Sequence, residues 1–316
     1  MGEAGIRMRI VVHGQQAFGK AVLEALLARG DDVVAVYAPP DAAGAKADPL
    51  VEAARAAGLP VRQPSAFRDP AVCDAFRELA PDLQVMAFVT LVVPPEFLAI
   101  PAHGTIQYHP SLLPRHRGRS SINWPIIQGE TETGLSIFWP DAGLDTGDVL
   151  LQKRTPITET DTLGSVYFDR LFPMGVAALL EAVDLVAAGT APRLPQSHAL
   201  ATYEGPCERR NARLDWGKPW KQIHDLIRGC DPAPGAWTTC GGQALQVFSA
   251  VPLPARDHAG IGGEAGEVVE VTDDSFSVAC ADGRIRVTRV RPAGDGKLAA
   301  GEWAAGAGLS AGARLE

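Results

Sequence analysis

Continuous apolar runs alternate with helix-spaced apolar stripes through the first two hundred residues, and this alternation constrains the fold more than any other feature. Arg9-Ile-Val-Val12 reads as a first strand, and Gly14 opens a turn. Val22, Leu23, Leu26 and Leu27 then mark a helix over Lys20 to Ala28 that ends at Gly30. Val33 to Tyr37 is a second strand, Pro49 to Ala57 a helix, and Leu59-Pro-Val61 the start of a third strand. Val72 to Leu79 reads as helix, and Leu83 to Val89 and Thr105 to Tyr108 as strands. Strands that are apolar throughout, separated by amphipathic helices, predict an α/β, doubly covered parallel sheet.

The pattern then changes. Ser120 to Ile127 reads as a helix, Gly134 to Trp139 and Val149 to Gln152 as a strand pair around a turn, and Asp161 as the N-cap of a helix running to about Leu185. Gly189 to Pro195 and Gly205-Pro206 read as a connector. After a helical stripe at Trp220, Ile223, Leu226 and Ile227, five short strands follow: 236–239, 244–251, 267–271, 276–279 and 285–290. Asp282-Gly283 marks a hairpin. These predict two domains: 1–204, α/β, and 205–316, a small antiparallel barrel. The Gly/Ala-rich stretch 299–313 reads either as a loose tail or as a closing element.

The net charge of -8 disfavours nucleic acid as the main partner. The five cysteines (Cys73, Cys207, Cys230, Cys240 and Cys280) form no ligand spacing, which predicts free thiols in a reducing compartment and no metal. Residues 1–7 lack an apolar leader core, and no apolar run reaches the roughly 18 residues needed to span a bilayer. A cytoplasmic location, with no membrane, is the expectation.

The chemistry concentrates in Gln107-Tyr-His-Pro-Ser-Leu-Leu-Pro-Arg-His-Arg-Gly118 and Gly143-Leu-Asp-Thr-Gly147. Side chains alternate along an extended segment, so Gln107 and His109 share one face while Ile106 and Tyr108 take the other. An isolated histidine is most often structural. Here prolines fix the exit loop on both sides, and the residue lies at a strand end, where open α/β sheets gather ligands. Asp145, between two glycines, reads either as a turn residue or as the carboxylate that orients His109. An amide, an imidazole and a carboxylate suit acyl transfer: Gln107 as oxyanion donor, His109 as proton carrier. Gly14-Gln-Gln-Ala-Phe-Gly19 matches no nucleotide-loop pattern and reads as a tight turn. Arg115, His116, Arg117 and Arg119 read either as a solvated loop or as a hold for an anionic tail.

These segments resemble the folate-dependent formyltransferase family. Tyr108 to Gly118, Ser121-Ile-Asn-Trp124, Ser136-Ile-Phe-Trp139 and Gly143 to Asp148 carry the resemblance most strongly. Lys46-Ala-Asp-Pro-Leu50, Ala191 to Gln196, Ala201 to Gly205 and Pro234 to Trp237 extend it over nearly the whole chain. It is closest to the amino-terminal domain of 10-formyltetrahydrofolate dehydrogenase. The resemblance implies a Rossmann-like first domain, an OB-like second domain and 10-formyltetrahydrofolate as donor. It makes His109 and Asp145 the reactive pair, with Gln107 beside them. It places the folate against Phe88, Leu91, Val92, Val93, Ser111, Leu112, Leu113, Pro114, Asp141, Leu144 and Asp145.

One position departs from the pattern. Ordinary formyltransferases carry Asn where this chain has Gln107, and the dehydrogenase domain carries an apolar residue. The extra methylene moves the amide by roughly 1.5 Å unless the rotamer adjusts, a shift that matters to catalysis. The readings left open are transfer to a small amine or carrier thiol, hydrolysis to formate, and folate binding without turnover. A tRNA acceptor is disfavoured: 38–48 holds one base, Lys46, and 201–316 holds 13 Lys/Arg against 15 Asp/Glu. The chain also stops where the dehydrogenase continues into its carrier and oxidising parts, so oxidation to carbon dioxide is not expected of it.

Overall fold

A computed structural model describes residues 8–42, 44, 46–254 and 263–316; the segment 1–7, where a leader was sought, lies outside them. The chain divides into two compact units. The first comprises Met1–Gly118, Gly134–Thr155 and Arg170–Tyr203; the second comprises Arg119–Thr133, Pro156–Asp169 and Glu204–Glu316.

Unit 1 is built on one sheet. Its strands are β1 (Arg9–Gly14), β2 (Asp32–Tyr37), β3 (Val61–Arg62), β4 (Leu83–Ala87), β5 (Thr105–His109), β6 (Glu132–Phe138) and β7 (Val149–Pro156). They lie in the order β3-β2-β1-β4-β5-β6-β7. β1 to β5 are parallel, as the apolar runs predict. β6 is antiparallel to β5, so the parallel expectation ends there. The physical reason lies in the connection. A parallel return needs a crossover element laid on the sheet. The segment between β5 and β6 supplies only α5 (Asn123–Ile127), five residues that pack in unit 2.

The earlier helices are α1 (Gln16–Arg29), α2 (Pro49–Ala56), α3 (Pro70–Glu78) and α4 (Pro95–Leu98). α1 stops at Gly30, whose φ of 83° gives the left-handed cap that glycine accepts readily. Asp48 caps α2 by accepting from the Leu50 N–H, and Asp69 caps α3 from Ala71. Side-chain alternation sorts the two faces of the sheet. Val11, Ala35, Tyr37 and Met86 pack with Phe67, Phe76 and Phe97. Tyr108 packs on Phe18 of α1, which meets Phe172 edge-on. Gly14 ends β1 without a side chain because a Cβ there would overlap the Ala87 carbonyl.

The helix expected from Asp161 is broken into three. α6 (Leu163–Ser165) gives way to a π-turn at Val166–Leu171 and then to α7 (Phe172–Ala187). Its cap is Thr162, which exchanges hydrogen bonds with Ser165 in a capping box. Asp161 instead accepts from the Thr158 N–H and from Ser165 Oγ. Pro173, which has no N–H to give, sits in the first turn of α7.

Unit 2 holds α8 (Trp220–Gly229), β8 (Ala236–Cys240), β9 (Gln243–Pro254), β10 (Val268–Val271), β11 (Phe276–Cys280), β12 (Gly283–Pro292), β13 (Leu298–Ala299) and α9 (Ala300–Ala307). The strands run antiparallel in the order β10-β11-β12-β9-β8, with β13 on β12. The carboxy-terminal residues join the two edges of that path. Leu315 bridges Cys240 of β8, and Arg314 bridges Glu267 beside β10. The Thr239 N–H donates to the Glu316 carbonyl, and the Leu315 N–H to Gly266. The Gly/Ala-rich stretch thus contains a helix and leads into a closing segment, rather than a loose tail. The core of unit 2 is Trp216, Ile223, Ile227, Val247, Phe276, Ile285 and Val287 with their neighbours.

All five cysteines are free thiols. Among the described residues no helix is long and apolar enough to cross a membrane, and no cluster of three or more His, Cys, Asp or Glu side chains could hold a metal.

Candidate active site

β1, β4 and β5 are parallel neighbours, so the loops that follow them leave the same edge of the sheet. His109 is the last residue of β5 and pairs with Ser136 of β6. Ile106 and Tyr108 are buried on the other face, which turns Gln107 and His109 together, as alternation requires. Asp145 lies in the turn that joins β6 to β7. His109 and Asp145 are 5% and 6% exposed, so the two side chains meet in a largely dry environment.

His109 Nδ1 lies 3.6 Å from Asp145 Oδ2. Its Nε2 lies 2.9 Å from the His116 carbonyl, an acceptor, so Nε2 carries a proton. Each ring nitrogen therefore faces an oxygen, and a second proton on Nδ1 would be held against the carboxylate. Asp145 Oδ2 also accepts the Gly118 N–H at 2.8 Å. Both Asp145 and His116 have φ of 54°, a left-handed backbone that residues other than glycine adopt at a cost of about 1–3 kcal/mol.

Gln107 is half-buried, and its side-chain amide makes no hydrogen bond among the described residues. The amide of this longer residue is free to meet a ligand.

The remaining sequence-assigned residues separate into two groups. Phe88 follows β4 with φ of 65°, which turns its ring outward; it is 45% exposed, Val92 85% and Leu144 53%. Leu91 and Val93 pack inward against the Phe97 cluster. Ser111 Oγ donates to the Arg115 carbonyl, and Leu113 packs with Phe138 and Val149. Leu112 and Pro114 are half-buried. Asp141 is exposed and accepts from the Gly143 N–H and the Thr146 hydroxyl, which closes the turn.

The basic loop is largely committed to structure. Arg117 is buried, with Nη2 donating to Gln196 Oε1 at 2.8 Å, and His116 is buried too. Arg115 and Arg119 are exposed.

His13, near the end of β1, is a further buried histidine near this edge. Gln84 Nε2 donates to its Nδ1 at 3.0 Å, and Thr105 Oγ1 donates to Gln84 Oε1. Burial pushes the His13 imidazole down from 6.5 to about 3. That ring stays neutral near physiological pH and is unsuited to carrying a proton.

Four residues that the motifs gave no role, Ser136, Gln152, Gln196 and Thr202, hold the site in place. Ser136 Oγ donates to the Ser111 carbonyl and accepts from the Leu113 N–H and Gln152 Nε2. Gln196 Nε2 donates to the carbonyls of Asp145 and Gly147. Thr202 Oγ1 accepts the His116 N–H. Ser136, Gln196 and Thr202 lie inside segments that carry the family resemblance, which was their one visible signal.

Residues 7–183 match the model of the formyl transferase family, and 207–308 match its carboxy-terminal domain. The chain belongs to the formyl transferase family. It is 42% identical over 287 residues to human cytosolic 10-formyltetrahydrofolate dehydrogenase, matching 85% of this chain but 32% of that protein. The chain thus spans about a third of the dehydrogenases it matches. Methionyl-tRNA formyltransferase of Moorella thermoacetica is 39% identical, covering 91% of this chain and 92% of its own length. Among solved structures, Aquifex aeolicus HypX in complex with tetrahydrofolic acid aligns with a TM-score of 0.66 at 21% identity, over 94% of this chain and 47% of that one. The sugar 3N-formyltransferase WlaRD, solved with dTDP and 5-N-formyltetrahydrofolate, aligns at 0.69 and 17%, over 92% and 100%. These two likenesses establish the fold.

Proposed function

We propose that this formyl transferase family member moves a formyl group from 10-formyltetrahydrofolate to the amine of a small-molecule acceptor. The observation that carries the reading is the buried His109–Asp145 pair beside the unpaired amide of Gln107. The outward-facing apolar side chains of Phe88, Val92 and Leu144 offer cover for a flat heteroaromatic ring, with Ser111 to Pro114 as the opposite wall.

In this reading the acceptor nitrogen adds to the formyl carbon while the carbonyl oxygen gains charge. The Gln107 N–H donates to that oxygen. The His109 imidazolium, its Nδ1–H held against Asp145, turns its Nε2–H from the His116 carbonyl to the departing nitrogen of the donor, and the ring regains a proton from the attacking amine. The carbon–nitrogen bond to the donor breaks, leaving tetrahydrofolate and a formamide. The reading includes a cytoplasmic setting, in keeping with the cytosolic dehydrogenases among the relatives.

A second reading, transfer to methionyl-tRNA, is favoured by the near-complete overlap with the Moorella enzyme. The acidic balance of 201–316 favours the small acceptor. The test incubates the protein with 10-formyltetrahydrofolate and, separately, amino sugars, other small amines and methionyl-tRNA. Formylated small amine supports the proposal. Formylated tRNA alone transfers the assignment to the second reading. Formate release that no acceptor suppresses makes the protein a hydrolase, and tight folate binding with no product removes the catalytic assignment.

A further inference from the structure

The two residues whose oxygens face the His109 ring, Asp145 and His116, both hold a left-handed backbone, and both are secured from one remote segment, 196–202. Gln196 is buried and saturated. Its Nε2 reaches the Asp145 carbonyl at 3.0 Å and the Gly147 carbonyl at 2.6 Å, while its Oε1 accepts Arg117 Nη2 at 2.8 Å and Nε at 3.3 Å. The amide orientation is fixed by its partners, because carbonyls can only accept and a guanidinium can only donate. Six residues on, the Thr202 hydroxyl takes the His116 N–H at 2.8 Å, and the Thr202 carbonyl takes the Arg117 N–H. The His116 carbonyl is the acceptor for His109 Nε2, and the Asp145 carboxylate faces His109 Nδ1.

We infer that Gln196, with Thr202, is a positioning residue: a clamp that sets the two oxygens between which the His109 ring is held. The inference rests on the formyl-transfer reading only for its kinetic consequence. Neither side chain touches the imidazole. Each acts on a neighbour whose unfavourable backbone would otherwise relax. The buried Gln196 side chain joins Arg117, in the loop after β5, to the β6–β7 turn, so losing it loosens Asp145 directly and His116 through its neighbour, while Thr202 still holds the His116 N–H. Displacements on the scale of an ångström are enough to cost about a hundredfold in rate.

The test is read first without turnover. Protein with 15N-labelled histidine is compared as wild type, Asp145→Asn, Gln196→Ala, Gln196→Glu, Thr202→Val and Thr202→Ser. The His109 signals are assigned by their loss in His109→Gln. Gln196→Glu keeps the volume and the Arg117 contact but sets an oxygen against two carbonyls. Thr202→Ser restores the hydroxyl that Thr202→Val lacks. The clamp requires that Gln196→Ala, Gln196→Glu and Thr202→Val each move both His109 ring-nitrogen shifts, with Thr202→Ser returning them to wild type. Ring shifts unchanged in all the folded variants, while Asp145→Asn moves them, would overturn it. Should neither Gln196 variant fold, the Thr202 pair decides between these outcomes.

Kinetics then follow. kcat falls about tenfold to a hundredfold in Gln196→Ala, with KM for 10-formyltetrahydrofolate within about threefold. In the Asp145→Asn background the same change costs less than it does in wild type, because one of the two oxygens it sets is already lost. Additive losses in that double variant also count against the clamp. A wild type with no turnover removes the functional reading, while the ring shifts still decide the positioning one.

Discussion

His109 stands between two oxygens, the Asp145 carboxylate 3.6 Å from Nδ1 and the His116 carbonyl 2.9 Å from Nε2, and both are presented by residues with left-handed backbones. If that arrangement carries the proton, His109→Ala and Asp145→Asn each lower formyl transfer by about 10²–10⁴. Circular dichroism should show the fold intact in both. Rates within about threefold of wild type in both variants would remove the pair from the mechanism.

The free amide of Gln107 gives a second expectation. Gln107→Leu keeps the bulk, removes the donor, and should cost about 10²–10³ in kcat with little change in donor affinity. Gln107→Asn restores the shorter amide and should recover most of the rate. A Leu variant as active as wild type would show that the oxyanion is held elsewhere.

His13 gives the acid dependence of the fold. Its ring titrates near 3 when folded and near 6.5 when unfolded, so the unfolded chain takes up a proton at this site first as pH falls. The stability held by the neutral ring is complete above about pH 6.5 and drains away from there down to about pH 3. Between about pH 7 and 4.5 one such site accounts for up to about 3 kcal/mol. His13→Asn cannot titrate, and its shorter amide keeps an acceptor for Gln84. Urea unfolding at the two pH values should show a smaller acid loss in the variant. Equal losses would mean that the folded ring takes up its proton over the same pH range as the unfolded one.

The parallel half of the sheet was legible because β1 and β4 are buried on both faces, so apolar residues run through their sequences with little alternation. The reversal at β6 was not, since strand direction depends on where the preceding segment packs, and 119–133 packs in unit 2. α9 and the closing segment were hidden in a stretch of Gly and Ala that carries no hydrophobic period. At the site, the types and order of Gln107, His109 and Asp145 were readable from the motifs. Their separation was not, because it depends on the pairing of β5 with β6 and on a hydrogen bond from Gln196, 51 residues beyond Asp145. The cap at Thr162 was misplaced by one residue because Asp161 and Thr162 are both good caps, and only the 158–165 loop decides between them.

Gly147 ties stability and geometry together. A Cβ at this position would overlap the Trp139 carbonyl, whose strand β6 ends beside it, and the neighbouring clash extends to the Asp141 N–H. The overlap is with backbone on a strand-ending turn, so no flexible side chain can yield. Gly147→Ala must therefore push the 141–147 turn away from β6. The Gly147 carbonyl would then draw back from Gln196, and Asp145 would leave His109. The expected result is a loss of about 2–4 kcal/mol in unfolding free energy. Transfer activity per folded molecule should fall by at least about tenfold as well, measured by comparing the folded fraction with kcat at a temperature where the variant is folded. A variant that is less stable but fully active per folded molecule would separate the turn's packing from the site. That outcome would mean that the Gly118 N–H and Gln196 keep Asp145 in place without the turn's packing.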